Sequence, residues 1–140
     1  MIADASVLVK MLAIETDSDI AAEFFLSEEV VAPDLIMIEA ASALWSKLRR
    51  GETVAMRHDI SRLEALIALM IPSSELVQDA LDLAVALGHP VYDCLYLALA
   101  IRRDARLVTA DQRFLAAVGQ SAYARHIVAL TAYPSIRLAG

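Results

Sequence analysis

Five short apolar runs punctuate this chain, at residues 1–3, 30–32, 70–71, 106–109 and 127–129, and longer amphipathic stretches lie between them. Strands alternating with helices predict βαβ units and an α/β fold: a central parallel sheet covered by helices on both faces. The intervening stretches predict helices over 6–12, 18–26, 35–50, 54–69, 74–87, 91–103 and 113–118. The fourth rests on the helical spacing of Ile60, Leu63, Leu66, Ile67 and Met70. The fifth opens on the cap-like SSE, and Gly51 and Gly88 mark helix ends. At 140 residues the chain suits a single domain spanning 1–140. Its closing TAYPSIRLAG reads as a loose or partner-dependent tail from about residue 131.

Within LIMIEAASALW, residues 35–45, one residue resists that scheme. On a helix, Glu39 shares a face with Leu35, Ile36, Ser42 and Ala43, none of them a cation. A carboxylate aimed into apolar surroundings is costly without a partner. In parallel α/β sheets, ligand sites form beyond the carboxyl ends of the strands, and three more acids fall there. Asp4 follows the first run, Asp111 follows LVT, and Asp93 opens the helix of HPVYDCLYLALAI. Each has an ordinary explanation. Asp4 and Asp111 suit helix N-caps, and Asp93 in a first turn complements the helix dipole. Glu39 lies past its first turn, where Asp34 is available as the cap, and Asp93 faces Tyr96 and Leu97.

Four carboxylates gathered at one sheet edge repel and raise one another's pKa. A hard divalent cation, Mg²⁺ or Mn²⁺, resolves the conflict because it takes carboxylate and water oxygens. On this reading a metal is the counter-ion of a buried Glu39. Ser6 and Thr109 would then orient a carboxylate or a water, although both also suit ordinary turn and capping roles.

The net charge of −6 argues against nucleic acid until those four acids are set aside. The remaining 14 acids face 12 bases, a balance of only −2. Lys47, Arg49 and Arg50 close one helix and Arg102, Arg103 and Arg106 another, either as dipole-matched ends or as phosphate contacts. Hydrophobic residues make up 59% of the chain, yet no stretch reaches the roughly 18 needed to span a membrane. The surplus suits a partner-binding face, homodimeric or with another protein. The lone Cys94 and a start directly on the strand-like MIADAS point to a reducing cytoplasm without a signal peptide. No GxxxxGK loop or HExxH helix occurs, and His58, His89 and His126 lack ligand spacing. Nothing in the sequence pairs Ser6 with a catalytic His and Asp.

MIADASVLVK, APDLIMIEAASALWSKLRRG and HPVYDCLYLALAIRRDARLVTADQRF together resemble a PIN domain of the VapC type, the toxin ribonucleases of type II toxin–antitoxin pairs. The resemblance covers nearly the whole chain, with least motif at 52–87. It implies a sheet of strand order 3-2-1-4-5 and an acidic Mg²⁺ or Mn²⁺ site made by Asp4, Glu39, Asp93 and Asp111, with Ser6 and Thr109 in support. It further implies single-stranded or looped RNA as substrate, products with 5′-phosphate and 3′-hydroxyl ends, and a small cognate antitoxin as inhibitor. Ser42 departs from the asparagine many relatives carry there. Two other classes remain beside an RNA-cleaving toxin or a housekeeping RNA-processing nuclease. One is a signalling receiver, disfavoured by the single acid after the first strand and the absence of any Lys beyond Lys47. The other is a non-enzymatic scaffold, which would normally have lost an acid.

Overall fold

The computed structural model describes residues 1–12, 15–52, 54 and 60–139. Its strands are β1 (Ile2–Ala3), β2 (Val31–Pro33), β3 (Leu69–Ile71), β4 (Leu107–Thr109) and β5 (Ile127–Ala129). They form one all-parallel sheet in the order β3-β2-β1-β4-β5. The register aligns Leu69, Val31, Ile2, Leu107 and Ile127 in one apolar row across all five strands. The central strands β1, β2 and β4 are wholly buried, as the continuous apolar runs demand of a sheet covered on both faces. This order also excludes the receiver class, whose doubly wound sheet runs 2-1-3-4-5.

The helices are α1 (Ala5–Leu8), α2 (Ser18–Ser27), α3 (Leu35–Arg49), α4 (Ser61–Glu64), α5 (Val77–Leu87), α6 (Val91–Arg102), α7 (Gln112–Gly119) and α8 (Tyr133–Ala139). Right-handed crossovers put the connections leading from β1 to β3 on one face and those leading to β4 and β5 on the other. Helix α6 packs against β1, β2 and β4 and against α5. Its run from Cys94 to Ala100 is buried on every side, which explains why its apolar residues show no clear stripe. Among the described residues no single helix is long and apolar enough to cross a membrane.

Three expectations change. Among the described residues the helix predicted over 54–69 is realised as α4; its part at 55–59 lies outside them. From Ala68 the chain is extended: the Ala68 N–H donates to the Val30 carbonyl at 2.8 Å, and Leu69 pairs with Val31. Sheet pairing overrides a spacing that Met70 had extended by coincidence. Asp34 does not cap α3. Its Oδ1 accepts from the Ser73 N–H (3.0 Å) and hydroxyl (2.7 Å), while the Ser73 Oγ accepts the Leu35 N–H at 3.1 Å. Finally, the segment after residue 131 is not loose. Tyr133 is fully buried, its ring meets Phe24 edge-on at 5.1 Å, and its hydroxyl donates to Glu28 at 3.0 Å. One turn on, Arg137 pairs with Glu23 of α2.

Tyr133→Ala is expected to cost about 3–5 kcal/mol by urea unfolding, whereas Tyr133→Phe, which keeps the ring and loses the hydroxyl with its bond to Glu28, should cost about 1 kcal/mol. Equal, negligible effects would mean that the C-terminal helix does not contribute to the fold.

Candidate active site

The strand order reverses between β1 and β4: one leads on to β2, the other to β5 on the opposite side. The carboxyl ends of such a strand pair flank the usual ligand crevice of open α/β sheets. Asp4 stands at the end of β1, Thr109 ends β4, and Asp111 follows two residues later.

Asp4 is only 4% exposed and does two jobs. It caps α1, its Oδ1 accepting the Val7 N–H at 3.4 Å, and it accepts the Ser6 hydroxyl on Oδ1 and the Thr109 hydroxyl on Oδ2. The two hydroxyls lie 3.3 Å apart, and each receives a backbone N–H from the next loop: Ala110 to Ser6 at 2.9 Å, Asp111 to Thr109 at 3.0 Å. The ends of β1 and β4 are thus fastened to each other through the polar groups expected to support the site. Asp111 is the N-cap of α7, its Oδ1 accepting the Arg113 and Phe114 N–H groups at 3.0 and 3.2 Å.

Asp93 sits in the first turn of α6, and His89 Nε2 lies 2.7 Å from its Oδ2. Gly88, at φ +63°, ends α5 in the left-handed conformation and turns the chain so that His89 precedes α6. Glu39, on α3, accepts the Tyr96 hydroxyl on Oε1 at 2.5 Å. The expectation of a buried Glu39 is corrected in degree only, since the neutral Tyr96 hydroxyl is no counter-ion. The side chain is half-buried, and a neutral donor from α6, almost fully buried itself, holds it.

Asp4, Glu39, Asp93 and Asp111 line one cleft of about 170 Å³, together with Ala5, Ser6 and Tyr96. Among the described residues no Lys or Arg is part of that lining. Burial lifts the Asp4 carboxyl from 3.8 to about 7, the Asp93 charge adding to the effect and the bonds from Ser6, Thr109 and Val7 opposing it. Glu39 is raised as well, by burial first, against the Tyr96 bond and with Asp93 adding to it. Tyr96 is in turn held well above its ordinary value by burial and by Glu39.

Among the described residues, no three Asp, Glu, His or Cys side chains close on one point as a ready-made cage. The four acids nevertheless share a cleft, and its lining supplies only oxygen donors. That chemistry fits a hard divalent ion of the Mg²⁺ type, which binds through one or two carboxylates and keeps several waters, and does not fit a caged soft metal.

The basic residues at the helix ends are engaged elsewhere. Lys47, 8% exposed, pairs with Glu15 at 2.5 Å and Glu52 at 3.7 Å, and Arg50 with Glu52 at 2.6 Å. Arg49 lies over the Trp45 ring, and Arg102 donates to the Glu75 carbonyl and to Asp79. Each of these four thus has a partner within the chain.

Fold and cleft together describe an open α/β domain with an acidic, oxygen-lined crevice where its strand order reverses. The PIN domain family matches residues 1–119, and the chain belongs to that family. Ribonuclease VapC3 of Pyrobaculum aerophilum is 34% identical over 119 residues, which are 81% of this chain and 90% of the relative. The crystal structure of PAE2754 from the same organism superposes with a TM-score of 0.70 at 23% identity, covering 99% of this chain and 95% of that one, and so shares the fold.

Two residues at the site escaped the sequence reading. Tyr96 counted as part of an apolar stripe, yet a buried tyrosine needs a hydrogen-bond partner and Glu39 needed a donor. His89 counted as scattered, although it stands four residues before Asp93.

The raised Asp4 value has a stability consequence. Between pH 3.8 and about 7 the folded protein keeps a proton that the unfolded chain has released. Stability present at low pH is therefore lost as pH rises through 7, by at most on the order of 4 kcal/mol from this group. Glu39 acts with the same sign. In divalent-free buffer, urea unfolding should show a fall from pH 5 to pH 8 that Asp4→Asn flattens; parallel profiles for the two proteins would contradict the assignment.

Proposed function

We propose that this chain is a divalent-metal-dependent endoribonuclease, the toxin of a type II toxin–antitoxin pair, acting on single-stranded or looped RNA in the cytoplasm. One observation carries the reading: four carboxylates from four separate segments line one cleft at the sheet's switch point, with no Lys or Arg in the lining among the described residues. Membership of the PIN family and the similarity to a protein named Ribonuclease VapC3 support the same conclusion.

Mg²⁺ or Mn²⁺, when bound, supplies positive charge for the phosphate oxygens and acidifies water for attack. The remaining contribution comes from the chain's own groups. Asp93 Oδ1, Glu39 Oε2 and Asp111 Oδ2 are the carboxylate oxygens whose partners on the same group are already held by protein donors. Asp93 and Asp4 are the proposed direct ligands, with Glu39 and Asp111 completing the set or orienting the attacking water. Ser6 and Thr109 fix Asp4. RNA with an unpaired, pliable backbone would enter the cleft more readily than a rigid duplex.

Exposed apolar residues suit the proposed partners. Ile38 and Trp45, 69% and 58% exposed, lie seven residues apart on the helix that carries Glu39, and Val77, Leu81 and Val85 repeat every fourth residue on α5. A small antitoxin covering the site and a second copy of the chain are the proposed occupants of such faces.

Purified protein with Mg²⁺ or Mn²⁺ is expected to cut unstructured RNA, leaving 5′-phosphate ends. Asp93→Asn should lower the rate at least about a hundredfold, as loss of several kcal/mol of charge stabilisation implies. The same variant should lose most of the rise in melting temperature that Mn²⁺ gives the wild type. Undiminished cleavage in excess EDTA, or in Asp93→Asn, would refute the proposal.

A further inference from the structure

We propose that His89 is a positioning residue that holds the Asp93 carboxylate in the cleft, so that its other oxygen is presented to a divalent cation. The inference rests on the function proposed above and adds to it a residue outside the acidic quartet.

His89 is fixed from two sides. Its ring stacks on Phe114 of α7, centroids 4.9 Å apart and planes 17° from parallel, and Phe114 is fully buried. Its Nε2 lies 2.7 Å from Asp93 Oδ2, and its side chain is only 12% exposed. An ionised carboxylate can only accept, so this bond requires the hydrogen on Nε2. Asp93 lines the cleft, whereas His89 is not part of the lining.

A carboxylate in the first turn of a helix has a competing local option, because the unpaired N–H groups there attract it. Asp4 and Asp111, standing one position earlier as N-caps of α1 and α7, bond such groups. Asp93 makes no such bond; α6 begins without a side-chain cap, and the His89 ring is the group bonded to the Asp93 carboxylate. The stack on Phe114 ties this arrangement to α7, the helix that Asp111 caps, so two of the four acids are set relative to each other through one aromatic pair. Groups that orient a ligand from outside typically change metal affinity by roughly 10–100-fold.

The test is Mn²⁺ affinity, measured by the EPR signal of free ion, on the full chain as wild type and in four variants. His89→Phe keeps a ring for Phe114 and removes the donor; His89→Gln keeps an N–H donor at similar reach. The expected result is binding weakened roughly tenfold or more in His89→Phe, with its melting temperature near that of the wild type, and binding within about threefold of wild type in His89→Gln. Asp93→Asn combined with His89→Phe should bind no more weakly than Asp93→Asn alone, because His89 acts only through Asp93. Wild-type affinity in His89→Phe would overturn this inference alone, as would a His89→Gln protein no better than His89→Phe. A wild type that binds no Mn²⁺ would overturn both it and the metal-dependent function.

Discussion

Mutual repulsion of carboxylates at the carboxyl ends of β1 and β4 is the constraint around which this molecule is arranged. Asp4 arrives on the first strand, Glu39 on α3, Asp93 on α6 and Asp111 after β4, and they meet because the sheet order places β1 beside β4. Burial first, and the Asp93 charge to a smaller degree, raise the carboxyls of both Asp4 and Glu39. The apolar row across the sheet and the all-round burial of α6 hold together an arrangement that its own electrostatics oppose.

The fold reconciles these opposing demands by anchoring each acid to side-chain or backbone hydrogen-bond donors. Asp4 takes two hydroxyls and a backbone N–H, Asp111 two backbone N–H groups, Glu39 a phenol and Asp93 an imidazole. The hydroxyl, phenol and backbone bonds fix direction without cancelling charge. The ordinary capping roles of Asp4 and Asp111 and their place in the cleft are therefore compatible: a cap uses one oxygen or one lone pair and points the remainder outward.

The sheet was legible because buried parallel strands write themselves as short apolar runs, and all five fall within a residue or two of their expected places. Helix ends at Gly51 and Gly88 were legible because both glycines adopt positive φ. The stretch before β3 was misread because Leu66, Ile67 and Met70 fit a helical period, while the pairing of Leu69 with Val31 depends on a strand nearly forty residues away. Tyr133 was misread because burial against Phe24 is likewise non-local. At the site, acid types after strands could be seen in the chain. Their partners Tyr96 and His89 could not be ranked, since a tyrosine or histidine near an acid in sequence carries no sign of which way its ring turns.

The contrast between two acids of the same chain argues that the absence of Lys and Arg from the cleft, among the described residues, is a feature of the site and not a limit of the fold. Glu15 is also partly buried, and there the chain brings Lys47 to 2.5 Å and Lys10 to 3.1 Å; Lys47, through its hydrogen bond, is the largest influence holding the Glu15 carboxyl below its usual range. Lys47 reaches it from α3, the same helix that carries Glu39 two turns earlier. The helix can thus deliver an amine to a carboxylate and does so where only stability is served. At Glu39 it delivers none, and the donor that arrives instead is the neutral Tyr96 hydroxyl. A group that must remain negative and accessible needs a partner that orients it without neutralising it, leaving its charge for a mobile cation.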